Sequence, residues 1–231
     1  SGEPIVGRWS PAKKRAILDS RLHTTSILAQ RMAQMLDPPS VWVSGSAIGW
    51  YGETGAEVRD ETAAVGEGFL ADVCRQWEAA TQPARDAGIR VVNLRIGVVL
   101  SPEGGALSKM ELPFKMGLGG IVGNGKQYMS WVAIEDVVGA ILHAIDTESV
   151  SGPVNVVSPN AVTNRVFTKV LGKVWRRPTI LPVPTFGLRA LYGEAADAML
   201  LASIRVTPRV LLESGYVFHY PELEGALRAQ N

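Results

Sequence analysis

Ser44, Ser46 and Tyr51 stand close together in Val41-Trp-Val-Ser-Gly-Ser-Ala-Ile-Gly-Trp-Tyr-Gly52, an apolar run that leads straight into a turn of small residues. In an open parallel sheet the ligand crevice lies outside the carboxyl ends of the strands, so a hydroxyl at such an exit is placed to hold a reacting oxygen. Ser46 is the first candidate, with Ser44 as its neighbour and Tyr51 as a candidate acid. The plainer readings are a polar turn and a packed Tyr-Gly corner. A tyrosine serves as acid or base near neutrality only if a nearby cation lowers its pKa.

Cys74 falls on the apolar stripe of a helix, which predicts a buried, inert thiol. His23, His143 and His219 are too scattered for a metal site, and no metal is predicted. A guanidinium suits bidentate anion binding. Arg21 and Arg95 are therefore candidates to meet a phosphate or ribose, with Arg95 preferred because strand ends face the ligand. Glu135 and Asp136 open a helix, where carboxylates favour the dipole, and Asp136 is read as structural.

These residues need a frame. Apolar residues at helical spacing predict a helix from about Pro11 to Leu36, with Ser10 as N-cap, stopped by Asp37-Pro-Pro-Ser40. A short strand at Val41 to Val43 is followed by the serine turn, a polar loop, and a helix over about 68–88 ending at Gly88. Ile89 to Gly97 is the next strand, and the long crossover requires parallel pairing. A glycine-rich stretch follows, with a short helix near Leu107 to Met116. Further elements are a helix at Ile134 to Ile145, a strand at Val154 to Val157, a helix capped by Asn164 and running to about Trp175, and a strand at Thr179 to Val183. The chain closes with mostly helical structure at Phe186 to Leu201 and a small tail.

With 231 residues, 46% of them hydrophobic, the chain can fill a sizeable core. Twenty-three basic against 22 acidic residues, in no long run of one sign, suggest neither nucleic acid nor a membrane surface as partner. A small molecule is the expected partner. The single cysteine fits a reducing compartment, and with no signal peptide the expected location is the cytoplasm.

Taken in order, several motifs resemble the extended short-chain dehydrogenase/reductase superfamily of sugar-nucleotide epimerases and dehydratases, and within it the atypical branch called the epimerase family. They are Gly2-Glu-Pro-Ile, Asp19-Ser-Arg-Leu-His-Thr24, Ser44-Gly-Ser-Ala-Ile-Gly-Trp-Tyr-Gly52, Trp77-Glu-Ala, Leu94-Arg-Ile-Gly-Val-Val-Leu100, Gly119-Gly-Ile-Val-Gly-Asn-Gly-Lys-Gln127, Met129-Ser-Trp-Val, Asp136-Val, Arg205-Val-Thr-Pro and Ser214-Gly-Tyr-Val-Phe. The resemblance implies an α/β fold: the C-terminal half of a Rossmann-like doubly wound parallel sheet over residues 1–157, a substrate loop region at about 101–131, and a smaller α+β lobe at 158–231. It also implies that the amino-terminal half, with its glycine-rich phosphate turn, is missing. That half would exist in the natural gene, have been lost by truncation or proteolysis, or be replaced by a partner's strand in a homodimer.

For the site, the resemblance implies NAD or NADP as cofactor, its binding by this chain alone being in question. Gly2 and Glu3 would lie beside the ribose, and the backbone of Ile96, Gly97 and Val98 would cover the nicotinamide. Gln127 and the glycines before it would form a rim over the substrate, with Met129, Ser130 and Trp131 as cleft wall. The superfamily's Tyr-x-x-x-Lys pair falls on Leu70 and Cys74, neither of which can serve, and no other such pair exists: Tyr51 is followed four residues on by Gly55, and Tyr128 by Val132. The implied activity is that of an epimerase-like or reductase-like enzyme; a non-catalytic NAD(P)-binding sensor and an inactive fragment are the alternatives.

Overall fold

The structure, a computed structural model, describes residues 2–230. Helix α1 (Pro11–Ala33) starts where expected: the Ser10 hydroxyl accepts from the Lys13 N–H at 3.1 Å, and proline occupies the first turn. Strand β1 (Val41–Ala47) follows, then a short 3-10 turn at Ile48–Tyr51. The expected single helix at 68–88 is two, α2 (Phe69–Ala79) and α3 (Gln82–Asp86). Pro83 cannot continue a ladder of N–H donors and instead sits in the first turn of α3.

Strands β2 (Arg90–Ile96) and β3 (Val98–Ser101) are separated only by Gly97, and α4 (Gly105–Lys115) comes next. Then come β4 (Tyr128–Met129), β5 (Trp131–Ala133), α5 (Ile134–Asp146), β6 (Gly152–Val156) and β7 (Val162–Thr163). Helix α6 (Asn164–Val174) is capped by the Thr163 hydroxyl rather than by Asn164, which lies inside the helix. Residues 179–183 form no strand; Val183 makes one isolated bridge, to Val122. Helices α7 (Thr185–Tyr192), α8 (Glu194–Ala196), α9 (Arg209–Glu213) and α10 (Leu223–Ala229) complete the chain, with a π turn at Asp197–Leu201.

The main sheet is parallel, in the order β1-β2-β6, and the register places Ala47 beside Ile96 and Ile96 beside Val156. Three carboxyl ends therefore meet at one edge. One face of the sheet packs Val92, Leu94, Val154 and Val156 against Val137, Ala140 and Ala144 of α5. The other sets Ile89, Val91 and Trp42 against Ala29 of α1 and Ala84 of α3. This layering of helices on both faces is the expected α/β class. A second core joins α4, α6 and α10 through Leu107, Phe114, Phe167, Leu171, Leu223 and Leu227, with Trp131 at its centre.

The C-terminal segment is tied back onto the sheet. Asp136 is buried, and its carboxylate accepts the N–H groups of His219 at 2.7 Å and Tyr220 at 3.0 Å and the Tyr216 hydroxyl at 3.1 Å. Its structural reading holds, although its partners lie some eighty residues away, beyond the helix it opens. Among the described residues no helix is long and apolar enough to cross a membrane.

Candidate functional site at the carboxyl edge

Beyond β1 the chain must turn sharply. Gly52 has φ of 60°, and a Cβ there would come within 2.7 Å of the Glu67 carbonyl, so both its backbone angle and the crowding require glycine. The Gly66 N–H donates to the Trp50 carbonyl at 2.8 Å and closes the loop that brings the start of α2 to the strand exit. Leu70 and Cys74, the two positions that the resemblance assigns to the Tyr and Lys, flank Gly49: a Cβ there would be 3.3 Å from Leu70 Cβ and 3.5 Å from Cys74 Sγ. The Cys74 thiol is buried, as expected, and donates to the Ala47 carbonyl at 3.6 Å. Burial, followed by the charge of Glu78, pushes its pKa up to about 11.

Ser46 is not presented to an open cleft. Its side chain is 4% exposed, and its hydroxyl donates to Glu78 Oε1 at 2.7 Å. Arg95 grips the same carboxylate through Nε at 2.8 Å and Nη2 at 3.0 Å, a bidentate fork. Its Nη1 donates to the Tyr51 hydroxyl at 3.0 Å, and Tyr51 donates onward to Asn155 Oδ1 at 2.7 Å. The guanidinium also lies 3.8 Å from the centre of the Trp50 ring. Arg95 thus corrects a second expectation: it is 2% exposed and spent on an internal ion pair rather than free for a phosphate. Burial alone would lower its pKa, but the bonds and charge of Glu78 outweigh this and raise it.

Tyr51 is likewise sealed. Burial drives its pKa up to about 12 although Arg95 pulls the other way, so near neutrality it stays protonated and is no base. Ser44 is also buried, opposite Asn93 in the register. Asn155 extends the cluster: its Nδ2 donates to the Thr207 carbonyl at 2.9 Å, and its backbone N–H donates to Glu61 Oε1 at 2.9 Å.

The expected cofactor contacts divide. The Glu3 N–H donates to Ser20 Oγ at 2.9 Å, and Arg21 Nη1 donates to the Glu3 carbonyl at 3.1 Å. The Arg21 guanidinium lies 3.0 Å from where a Gly2 Cβ would be, and 5.4 Å from the centre of the Trp77 ring. It has no carboxylate partner among the described residues, and its Nε and Nη2 donate to none of them. Burial lowers its pKa. The available guanidinium is therefore that of Arg21, the less favoured of the two. Ile96 and Val98 sit at the sheet edge, but the demand for glycine at 97 is internal: a Cβ would stand 2.6 Å from the Ser130 carbonyl and 2.7 Å from Val157 Cγ1.

Of the four expected substrate contacts, Gln127 lines a cavity of about 430 Å³, shared with Tyr128, Lys126 and Arg189. Ser130 is fully buried; its hydroxyl donates to the Ile204 carbonyl and accepts from the Val206 N–H, each at 2.9 Å. Trp131 is fully buried in the second core, and its indole N–H donates to the Asn160 carbonyl at 3.0 Å. Met129 packs against that core. The cleft-wall reading fails for Ser130 and Trp131 because both sides of this short segment lie against packed protein, and Met129 is half-buried beside the second core.

A second cavity, of about 310 Å³, opens beside the strand exit and was not foreseen. It is lined by Gly49, Leu70, Trp9, Phe69 and Glu67 on one side and by Glu194, Asp197, Ala198, Ala202 and Ile204 on the other. The signal was available in part, since Trp9 and Phe69 are large aromatics next to polar turns.

The model of the NAD dependent epimerase/dehydratase family matches residues 5–157, and that of a domain of unknown function, DUF1731, matches residues 183–230. The chain is 44% identical over 220 residues to an epimerase family protein of Mycobacterium leprae, covering 95% of this chain and 71% of that protein. Among solved structures it matches the human epimerase family protein SDR39U1, crystallised with NADPH, with a TM-score of 0.95 at 35% identity, over 99% of this chain and 79% of that one. It also matches a nucleoside-diphosphate sugar epimerase from Corynebacterium glutamicum with a TM-score of 0.80 at 36% identity, over 97% of this chain and 44% of that one. The alignments run along nearly the whole of this chain and over only part of each of these relatives.

Proposed function

Because this chain belongs to the NAD dependent epimerase/dehydratase family, we propose that it binds NADP(H) along the carboxyl edge of its parallel sheet and takes a small polar substrate in the adjoining 310 Å³ cavity. Residues 1–157 hold the cofactor and residues 158–231 close over the substrate. The observation that carries this reading is Arg21, a half-buried guanidinium with donors to spare, set against Gly2 and Glu3. Donors of that kind suit a phosphate or ribose. When bound, the cofactor supplies a hydride acceptor or donor. The sealed set of Ser46, Glu78, Arg95 and Tyr51 holds the turn at Gly49 in place as the floor of the cavity.

Titration of this chain with NADPH, followed by the fluorescence of the nicotinamide, is expected to saturate. The Arg21→Gln variant should weaken binding about tenfold, in line with loss of one charge-assisted contact. Absence of saturable binding, or indifference to the substitution, overturns the proposal.

The second reading, a cofactor-binding sensor without turnover, is favoured by one observation: the hydroxyls of Ser46 and Tyr51 and the thiol of Cys74 are all internally bonded, and the last two have pKa values near 12 and 11. Saturable NADPH binding without oxidation of NADPH by any member of a panel of carbonyl compounds and nucleotide sugars would decide for it.

A further inference from the structure

The cavity beside Gly49 has a one-sided chemistry. Its lining includes the carboxylates Glu53, Glu67, Glu194 and Asp197 and the aromatic rings of Trp9 and Phe69, and no basic side chain. Glu194 is paired with Lys14 and Asp197 with Arg189. Glu53 is bonded only to the backbone N–H groups of Gly55 at 3.0 Å and Ser203 at 2.8 Å. Glu67 is exposed and has no side-chain partner among the described residues.

The rings meet edge to face, with centroids 5.1 Å apart. The Lys14 ammonium lies over both, 5.9 Å from the Trp9 centre and 5.1 Å from the Phe69 centre, while it donates to Glu194 at 2.8 Å. At the rim of the cavity, then, two rings and a carboxylate already hold one ammonium group, which belongs to the chain itself. Ring faces attract cations through their quadrupole, and low-dielectric walls of one sign focus the field inside a cleft.

We infer that this cavity takes the protonated amine of a small amine-bearing molecule, an amino sugar being the simplest polar example, and disfavours anions. The inference rests on the cavity being the substrate site proposed above. An anion placed there meets the charges of Glu53 and Glu67, and the cation beside the rings, Lys14, is already committed to Glu194, whereas a ligand ammonium meets both free carboxylates and the rings as well.

Calorimetric titration with glucosamine, glucose and glucuronate tests it, since the three share one ring and differ in carrying a positive, neutral or negative group. Glucosamine is expected to bind about tenfold more tightly than glucose, glucuronate most weakly, and the preference should shrink as salt is added. Glu67→Gln, at an exposed position, should cut the preference several-fold. Lys14→Met should enlarge it, because the ring faces and Glu194 are then free for the ligand.

Equal binding of the three sugars, a preference for glucuronate, no binding at all, or indifference to both substitutions would overturn the inference. NADPH titration of the same samples keeps the two readings apart. A lost amine preference with intact NADPH binding removes only this inference, and the reverse removes only the cofactor reading.

Discussion

Around Arg95 the donors are answered from within: Ser46, Arg95 and Tyr51 all spend theirs on Glu78, Asn155 or one another, and the side chain of Arg95 is 2% exposed. In the cavity beside Gly49, on the same sheet edge, Glu67 is exposed with no side-chain partner among the described residues, and the walls combine rings, carboxylates and small side chains. The contrast separates two uses of polar residues. A hydroxyl whose donors and acceptors are satisfied in a low-dielectric interior fixes geometry and resists proton transfer. A charge left facing a cavity is available to a ligand. The residues that most resemble catalytic groups are therefore the frame, and the recognition surface is made by residues without a motif.

The comparison breaks most readily at its centre. Arg95→Met leaves the Glu78 carboxylate, 10% exposed, without its counter-ion, and removal of one partner of a buried pair costs about 3–5 kcal/mol. Urea unfolding should show that loss as a shift of midpoint at unchanged slope. A variant as stable as the parent but unable to bind NADPH would mean that Arg95 serves the ligand after all.

Tyr51→Phe is expected to have a smaller effect. It leaves Asn155 Oδ1 and one Arg95 N–H without their partner, which costs about 1–3 kcal/mol. Any turnover that the protein supports should persist in this variant with an unaltered pH profile. A loss of turnover far beyond the loss of stability, with a changed profile, would restore Tyr51 as an acid.

What the sequence made legible was local. Ser10 and Pro11 mark the start of α1, the crossover between β1 and β2 demands parallel pairing, and the stripe through Cys74 buries its thiol, all within the reach of periodicity and capping rules. The partners that decide function are tertiary. Glu78 lies 32 residues from Ser46 and 17 from Arg95, and no spacing rule joins them. Ser130 and Trp131 look like a polar edge and an aromatic wall until the segment carrying Ile204 and Val206 covers the first and α4 and α6 enclose the second. Thr179 to Val183 has strand-forming residues but gains a single bridge, because its neighbour across the chain is the glycine-rich loop at 119–125 rather than a strand.

The smallest effect sharpens the boundary between frame and cavity. Glu61 closes the cluster at the far side of Asn155: its Oε1 accepts the N–H groups of Asn155 at 2.9 Å and Val210 at 3.2 Å, while Oε2 is buried without a partner. Burial raises its pKa above the ordinary carboxylate value, with the two N–H bonds opposing. The folded state therefore holds the Glu61 proton more tightly than the unfolded chain does. The contribution of this group to stability is fully present below the unfolded carboxylate range and is lost as the pH rises through the raised folded value. Glu61→Gln keeps an amide oxygen for the two N–H donors and cannot titrate. In paired urea titrations from acid to neutral pH, the parent should lose stability relative to the variant over that window and stay parallel to it above, by less than the Tyr51→Phe change. A parent that gains stability over the same window would show instead that Glu61 is held as a carboxylate by a charge outside the cluster, and the frame would then extend past Asn155.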